Sequence, residues 1–427
     1  MQKQGMDGQA DRLLGPVGVT ADSAAWQAAR RHLDRLWRRG RAFLGCERAI
    51  MGGAMTWVSE HHLVAAISNA GGFGVIASGS MTPALLDAEI AATYALTGRP
   101  FGVNLITLHP RLMELIDVCA ARKVSHIVLA GALPSAAAVS RINTAGIKLM
   151  CFAPALVIAK KLVRMGADAI IIEGMEAGGH IGPVSTSVLV QEILPHITEV
   201  PVFVAGGIGR GEAMLSYLEM GASGIQLGTR FVCTHESIAH PHFKRAFIRA
   251  GARDAVPSVQ LDPRFPVIPV RALANQMTQR FLETQRALID RVNLGEVSQK
   301  DAQLEIEHFW AGALRRAVID GDVETGSVMA GQSVGMVTRE QSTQEVIDRF
   351  NRGDLSQKDA QLEIEHFWAG ALRRAVIDGD IEAGSLMAGQ SVGMVSAEQS
   401  TAEIIEELVA QASDALAARA ASTGAFF

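Results

Sequence analysis

Eight short apolar runs, each followed by a stretch with helical spacing, constrain the fold of this chain more than any other feature. Their apolarity is continuous, and they occupy 48–53, 74–78, 101–106, 125–130, 147–152, 168–174, 201–207 and 223–228. Continuous rather than alternating apolarity indicates parallel strands that are buried on both faces. Eight successive βα units predict an α/β fold, a TIM (β/α)8 barrel, with a doubly wound sheet as the alternative.

A tandem duplication occupies the C-terminal third. The segment SQKDAQLEIEHFWAGALRRAVIDGD occurs at 298–322 and again, unchanged, at 356–380. Two copies are too few for a solenoid, which needs about three stacked repeats, so each copy predicts a helical module. We expect four parts: an N-terminal helical extension (1–44), the barrel (45–260), a first module copy that closes the site (261–348), and the second copy with a C-terminal helix (349–427).

Composition excludes several classes of function. The formal net charge of −5 leaves no basic excess to neutralise nucleic-acid phosphates. No apolar run reaches the ~18 residues of a membrane span, and four cysteines without CxxC spacing favour a reducing compartment. We expect a cytoplasmic protein with no nucleic-acid partner and no membrane span. The three histidines of 235–242 lack carboxylates at metal-ligand spacing, so we also expect no metal site.

Glycine-rich turns follow the seventh and eighth runs. Gly206 and Gly207 lie in AGGIGRGEAM, and Gly228 and Thr229 lie in GTRF. In a TIM barrel the loops after the strands carry the site, and the turns after strands seven and eight often bind a phosphate through backbone N–H groups. These turns therefore predict a phosphate site, with purely structural turns as the alternative.

Residues suited to a flat ring stand where the first and third strands are expected to end. The segment GGAMTW (52–57) presents Met55 and Trp57 after a glycine pair. Asn104 follows in FGVN, where its amide could bond the edge of a ring or cap the next segment. Both places predict contact with a planar ligand.

The sixth run leads into EGMEAGGHIG (173–182), which holds four glycines and one histidine. The glycines let the turn pass close beneath a planar ligand, because they carry no Cβ. His180 then faces the substrate side, and an ordinary pKa near ~6.5 lets imidazole exchange a proton near neutrality. Glu173 and Glu176 could form a carboxylate pair; the alternative is that Glu173 fixes the cofactor or the loop while Glu176 orients the turn.

Six segments, taken in order, resemble the flavin-dependent enoyl-ACP reductases (type II) and their relatives the nitronate monooxygenases, formerly 2-nitropropane dioxygenases. They are GGAMTWVSEHHLVAAISNAGGFGVIA, RPFGVN, GADAIIIEGMEAGGHIG, PVFVAGGI, LGTRFVCTHESIAHP and DGDVETGSVMAGQSVGMV. The resemblance spans about residues 45–337. It implies FMN in a TIM barrel that a helical segment closes, with NAD(P)H as co-substrate.

The resemblance also implies roles for single residues. It makes His180 the active-site histidine and assigns the flavin contacts to Gly53, Ala54, Met55, Glu173, Gly178, Gly206, Gly207, Gly228 and Thr229, with Ala54 in place of a family glycine. A C-terminal MAGQ segment, which packs near the flavin and favours the reductase branch, corresponds to residues 329–332 and contains Met329, Gly331 and Gln332.

The duplication offers a second MAGQ segment with Met387, Gly389 and Gln390. We assign the site to the first copy, because the family's spacing from the barrel ends there. The second copy could cover a surface, pair with another subunit in a homodimer, or have no role.

Three hypotheses of function follow from the resemblance. The first is FMN-dependent reduction of the C=C bond of small-molecule or acyl-carrier 2-enoyl thioesters with NAD(P)H, as in fatty acid biosynthesis, with His180 polarising the carbonyl or delivering the proton. The second is a nitronate monooxygenase that oxidises alkyl nitronates with O2, with His180 as base or electrostatic anchor. The third is a non-catalytic flavin-binding or scaffold protein.

Overall fold

Eleven strands are present in the computed structural model, which describes residues 24–262 and 269–352. In chain order they are β1 (Ile50–Gly52), β2 (Val75–Ala77), β3 (Gly102–Ile106), β4 (His126–Ala130), β5 (Lys148–Phe152), β6 (Ala169–Glu173), β7 (Gly179–His180), β8 (Val202–Ala205), β9 (Gly224–Leu227), β10 (Ala255–Pro257) and β11 (Val270–Leu273). Each of the eight apolar runs contains one strand of the large sheet. The TIM-barrel prediction is confirmed.

The large sheet is a parallel barrel with the order β1-β9-β8-β6-β5-β4-β3-β2. Its two edge strands are joined through Phe73, whose carbonyl accepts from the Gly52 amide at 2.9 Å and whose amide donates to the Ile50 carbonyl at 2.9 Å. These bonds close the barrel. Since all strands are parallel, every loop after a strand emerges at one end, which we call the mouth.

Fourteen α-helices are described, and seven of them, α3 to α9, connect successive strands of the barrel. They are α1 (Ala24–Leu36), α2 (Arg38–Leu44), α3 (His61–Asn69), α4 (Pro83–Leu96), α5 (Leu112–Ala121), α6 (Ala136–Thr144), α7 (Leu156–Met165), α8 (Thr186–Ile193), α9 (Gly211–Glu219), α10 (Thr229–Val232), α11 (Pro241–Arg249), α12 (Gln276–Asn293), α13 (Gln299–Val318) and α14 (Thr343–Arg352). Two 3₁₀ turns lie at Ala252–Asp254 and Gln332–Met336.

The barrel interior is filled at the end opposite the mouth. Buried residues of the strands and of α2 share one apolar cluster that includes Leu44, Met51, Phe73, Val75, Val128, Met150, Ala169, Ile171 and Phe203. The helix α2 approaches so closely that a Cβ at Gly40 would lie 1.9 Å from the Ser223 carbonyl oxygen. The helix α2 therefore covers the end of the barrel opposite the mouth.

A second, three-stranded antiparallel sheet joins the barrel to the helical module. Its order is β10-β11-β7, so β11 of the module pairs with β7 of the loop after β6. The helices α12 and α13 pack on each other through an apolar cluster with Phe281, Leu288, Ile306 and Trp310. The first module copy is therefore tied to the barrel by backbone hydrogen bonds as well as by packing.

The described residues from Leu33 onward belong to one compact unit, Leu33–Gly353. The second module copy lies outside the described residues, and our division of the chain into four parts stays a prediction. None of the described helices combines the length and the apolarity needed to cross a membrane. The four cysteines are free, and burial raises the pKa of each thiol to about 12, so they are poor nucleophiles.

Candidate active site

The loops after β1 and β9 lie side by side at the mouth. The Gly53 amide donates to the Leu227 carbonyl at 2.8 Å. A Cβ at Gly228 would lie 3.6 Å from the Met55 sulfur, and Ala54 packs against the barrel-interior cluster. Residues that the resemblance assigns to flavin contacts are thus neighbours in space.

The loop after β1 is held in a strained shape. The Ser59 hydroxyl donates to the Gly53 carbonyl at 2.8 Å and accepts from the Met55 amide at 3.0 Å. Trp57 has a φ of 68°, a conformation that bulky residues rarely adopt. The Arg315 guanidinium of α13 lies 5.9 Å from the centre of the Trp57 ring. The helical module therefore reaches over the mouth at this loop.

The loop after β6 is anchored to the start of α8. The Glu176 carboxylate accepts from the amide and from the hydroxyl of Thr186, both at 2.9 Å. A Cβ at Gly174 would lie 2.0 Å from the Thr186 hydroxyl oxygen, so only glycine fits there. Glu176 thus orients the turn, while Glu173 points elsewhere and is not paired with it.

Two turns at the mouth present backbone N–H groups. Gly206 and Gly207 have φ of 92° and 72°, which favours glycine. Among the described residues, no hydrogen bond uses the amides of Gly207, Gly228 or Thr229. Shielded N–H groups need acceptors, and a cluster of them suits an anion such as a phosphate.

Three polar side chains belong to the barrel strands: Glu173 at the end of β6, Gln226 in β9 and Asn104 within β3. No hydrogen bond among the described residues reaches the Glu173 carboxyl or the buried Gln226 amide. Burial raises the pKa of Glu173 to about 8, so the group is mostly neutral at pH 7 and can donate a hydrogen bond. Asn104 is buried within β3, and its Nδ2 donates to the Val128 carbonyl at 3.1 Å. The Asn104 amide nitrogen therefore has a structural role in the barrel wall.

His180 is exposed at the mouth on the short strand β7. Its position is set by pairing with Val270 of β11. The next residue of β11, Arg271, is buried; its Nε donates to the Met175 carbonyl at 2.9 Å, and its Nη1 donates to the Ala255 carbonyl. Burial lowers the pKa of Arg271, whose charge lies among carbonyl oxygens. Arg271 thus holds the loop that carries the histidine.

The MAGQ segment at 329–332 packs directly on two of these loops. The Gly331 amide donates to the Thr229 hydroxyl at 3.0 Å, and the Gln332 amide donates to the Glu176 carbonyl at 2.9 Å. A Cβ at Gly178 would lie 2.5 Å from the Gly331 nitrogen. The segment therefore closes one side of the mouth at backbone-to-backbone distance.

Met329 lies over the same loop, with its sulfur 3.7 Å from the position of a Cβ on Gly179. The competing residues of the second copy, Met387, Gly389 and Gln390, lie outside the described residues. In the described part of the chain, the first copy occupies the mouth.

The residues at the mouth fit FMN. The unpartnered amides of Gly207, Gly228 and Thr229 suit its phosphate, and Glu173 and Gln226 offer hydrogen bonds to a polar ring edge. The glycine loops allow a flat ring to approach the backbone. These residues would hold the cofactor, with the MAGQ segment beside it.

Sequence reasoning missed Gln226 and Arg271. Gln226 stands in an apolar strand, GIQL, and a buried amide there is a signal that could have been used. Arg271 lies well beyond the barrel strands, and nothing in its local sequence indicates burial. Only the pairing of β11 with β7 brings it to the mouth.

Comparisons with known proteins agree with this site. A sequence model of the nitronate monooxygenase family matches residues 40–122 and 111–353. A (3aS,4S,5R,7aS)-5-hydroxy-7a-methyl-1-oxo-octahydro-1H-indene-4-carboxyl-CoA dehydrogenase of Mycobacterium tuberculosis is 30% identical over 379 residues, covering 86% of this chain and 94% of the relative. A probable nitronate monooxygenase of Staphylococcus aureus (strain MSSA476) is 27% identical over 354 residues, covering 71% of this chain and 94% of the relative.

A solved structure also resembles this chain. FabK from Thermotoga maritima superposes with a TM-score of 0.65 at 34% identity, covering 73% of this chain and 94% of that chain. The resemblance stated from the sequence motifs is confirmed, and the non-catalytic alternative is set aside. The chain belongs to the nitronate monooxygenase family and is an FMN-dependent oxidoreductase.

Proposed function

We propose that this protein acts on the Cα–Cβ bond of acyl thioesters, reducing 2-enoyl thioesters with NAD(P)H. The observation that carries the proposal is the MAGQ segment, whose amides bond the loops after β6 and β9 and which favours the reductase branch of the family. One relative supports a thioester substrate: the M. tuberculosis protein is named a carboxyl-CoA dehydrogenase.

Protein groups at the mouth would supply binding and orientation. FMN, when bound, supplies reversible two-electron transfer, while the protein provides the electrostatics. The amides of Gly207, Gly228 and Thr229 would hold the phosphate, and the neutral Glu173 carboxyl would donate a hydrogen bond to the ring edge. The MAGQ segment packs on the loop after β6 and would help to keep water out of the site.

His180 is the candidate catalytic residue. Its exposed ring on β7 can reach a thioester that enters the mouth, where it would polarise the carbonyl or deliver the proton to Cα. Such a role is worth roughly 10²–10⁴-fold in rate. Arg271 keeps the loop in place without touching the substrate.

Stopped-flow absorbance of the flavin tests the proposal. We expect NADH or NADPH to reduce the flavin under anaerobic conditions and crotonyl-CoA to reoxidise it faster than oxygen does. A His180→Ala variant should keep its flavin and lose turnover by ~10²-fold or more. The exposed His196, which follows α8, provides the control, because His196→Ala should behave as the wild type. Reoxidation that no enoyl thioester accelerates would contradict the proposal.

Nitronate oxidation is the second candidate function. The family model and the S. aureus relative carry that name, and an exposed imidazole beside shielded amides also suits an anionic nitronate. Oxygen uptake driven by an alkyl nitronate without NAD(P)H would select this function over the first. The same His180→Ala variant should then abolish oxygen uptake.

A further inference from the structure

Four potential metal ligands converge where α3 begins, outside the site described above. Glu60 caps the helix, and the Nδ1 atoms of His61 and His62 lie 3.1 and 2.9 Å from its Oε2 atom. Glu89 reaches in from α4, with its Oε1 atom 2.9 Å from the His61 Nδ1 atom. Ligand atoms of the three consecutive residues all lie within 4.8 Å of one another.

Among the described residues, no lysine or arginine pairs with the two carboxylates of this cluster. The side chains of Glu60 and Glu89 are only 13% and 17% exposed. In the described part of the chain, neither carboxylate forms an ion pair with lysine or arginine; each contacts only histidine in this way. Shielded carboxylates are normally paired with a cation or bound to a metal. The positive end of α3 supplies part of that compensation through the Glu60 cap.

We propose that Glu60, His61, His62 and Glu89 bind one divalent transition-metal ion, with Zn²⁺ as the best match. Two imidazoles and two carboxylates are ligands that zinc takes at ~2.0–2.2 Å, which puts neighbouring ligand atoms ~3.3–3.6 Å apart in a tetrahedral site. The Glu60 Oε2 atom lies 3.1 and 2.9 Å from the two Nδ1 atoms, slightly closer than that spacing, and the Glu89 Oε1 atom lies 2.9 Å from the His61 Nδ1 atom, from where it would supply the fourth ligand. A metal binds only an imidazole nitrogen that carries no proton, so in the zinc-bound state each ring would carry its proton on Nε2 while Nδ1 binds the ion.

The site would stabilise the loop beneath the cofactor. Ser59, which precedes the cluster, bonds both the Gly53 carbonyl and the Met55 amide. A metal that joins α3 to α4 therefore restrains the start of α3 and, through Ser59, the loop after β1. The expected role is structural, because no ligand of the cluster belongs to the loops that hold the flavin.

Calorimetric titration of the flavin-loaded, untagged, metal-free full chain with ZnCl2 tests the site. We expect one zinc ion per chain and a higher melting temperature with zinc. His62→Ala removes an exposed ligand with little risk to the fold, and Glu89→Gln keeps the shape of a shielded one. Each should weaken zinc binding at least ~10-fold.

A matched control uses the other close histidine pair, His240 and His242, whose rings are 4.8 Å apart. His242→Ala should bind zinc as the wild type does and show the same melting shift. Absence of zinc binding by the wild type would overturn the proposal. Equal zinc affinity of the wild type and His62→Ala, with circular dichroism confirming that both are folded, would overturn it as well.

Discussion

Replacing Gly178 by alanine should separate the MAGQ segment from the loop after β6. The added Cβ would lie 2.5 Å from the Gly331 nitrogen and 2.6 Å from the Ala330 carbonyl carbon, whereas ordinary contacts begin at 3.4 Å. Backbone atoms on one side must therefore move by about 0.9 Å. Overpacking of this kind typically costs ~1–3 kcal/mol. If FMN binding requires the packed segment, the same free energy lowers flavin affinity by about 5- to 150-fold.

The same loop provides a matched control at Gly182, where a Cβ would meet nothing within 4 Å. Flavin fluorescence during titration measures the FMN dissociation constant, and urea denaturation of the flavin-free protein measures stability. Gly178→Ala should bind FMN more weakly and unfold at lower urea concentration than Gly182→Ala, which should match the wild type. Equal dissociation constants and equal urea midpoints for the two variants would refute the packing argument.

Three further predictions concern other parts of the site. The pKa of Glu173 is about 8 in the folded protein and 4.5 ordinarily, so the stability of the flavin-free protein should fall as pH rises between these values and level off above pH 8. The melting temperature measures this slope, and Glu173→Gln should remove it. Arg271→Met leaves two shielded carbonyls without a donor at ~1–3 kcal/mol each, measurable by urea denaturation, with surface Arg141→Met as the neutral control. Met329→Ala should lower kcat/KM by ~10- to 100-fold through misplacement at the mouth, whereas Met387→Ala should leave kcat/KM unchanged; equal effects would show that the second copy shares the site.

The barrel was predictable because each strand has a recognisable local sequence pattern. The run AIIIE of β6 is β-branched and apolar on both faces, and the structure buries its first four residues. Parallel strands place all their following loops at one end, so the grouping of Gly53, Glu173, Gly207 and Gly228 followed from strand order alone. The periodicity of the chain was enough for this step.

The contents of the loops were harder to predict. The sequence left Asn104 with two possible roles, at a ring edge or as a cap; in the structure it lies within β3, where its Nδ2 atom donates to the Val128 carbonyl. Successive side chains of a strand point to opposite faces, so a shift of one position decides whether a side chain faces the barrel interior or the surrounding helices.

By itself, the sequence determined the parallel barrel, the loops that form the mouth and the family, because all of these depend on patterns within about ten consecutive residues or on their order. Tertiary structure alone decided that Arg271 supports the loop of His180 and that Glu89 reaches the start of α3. Such contacts join residues far apart in the chain, and they depend on how helices and strands pack. No local pattern of apolar and polar residues encodes that packing.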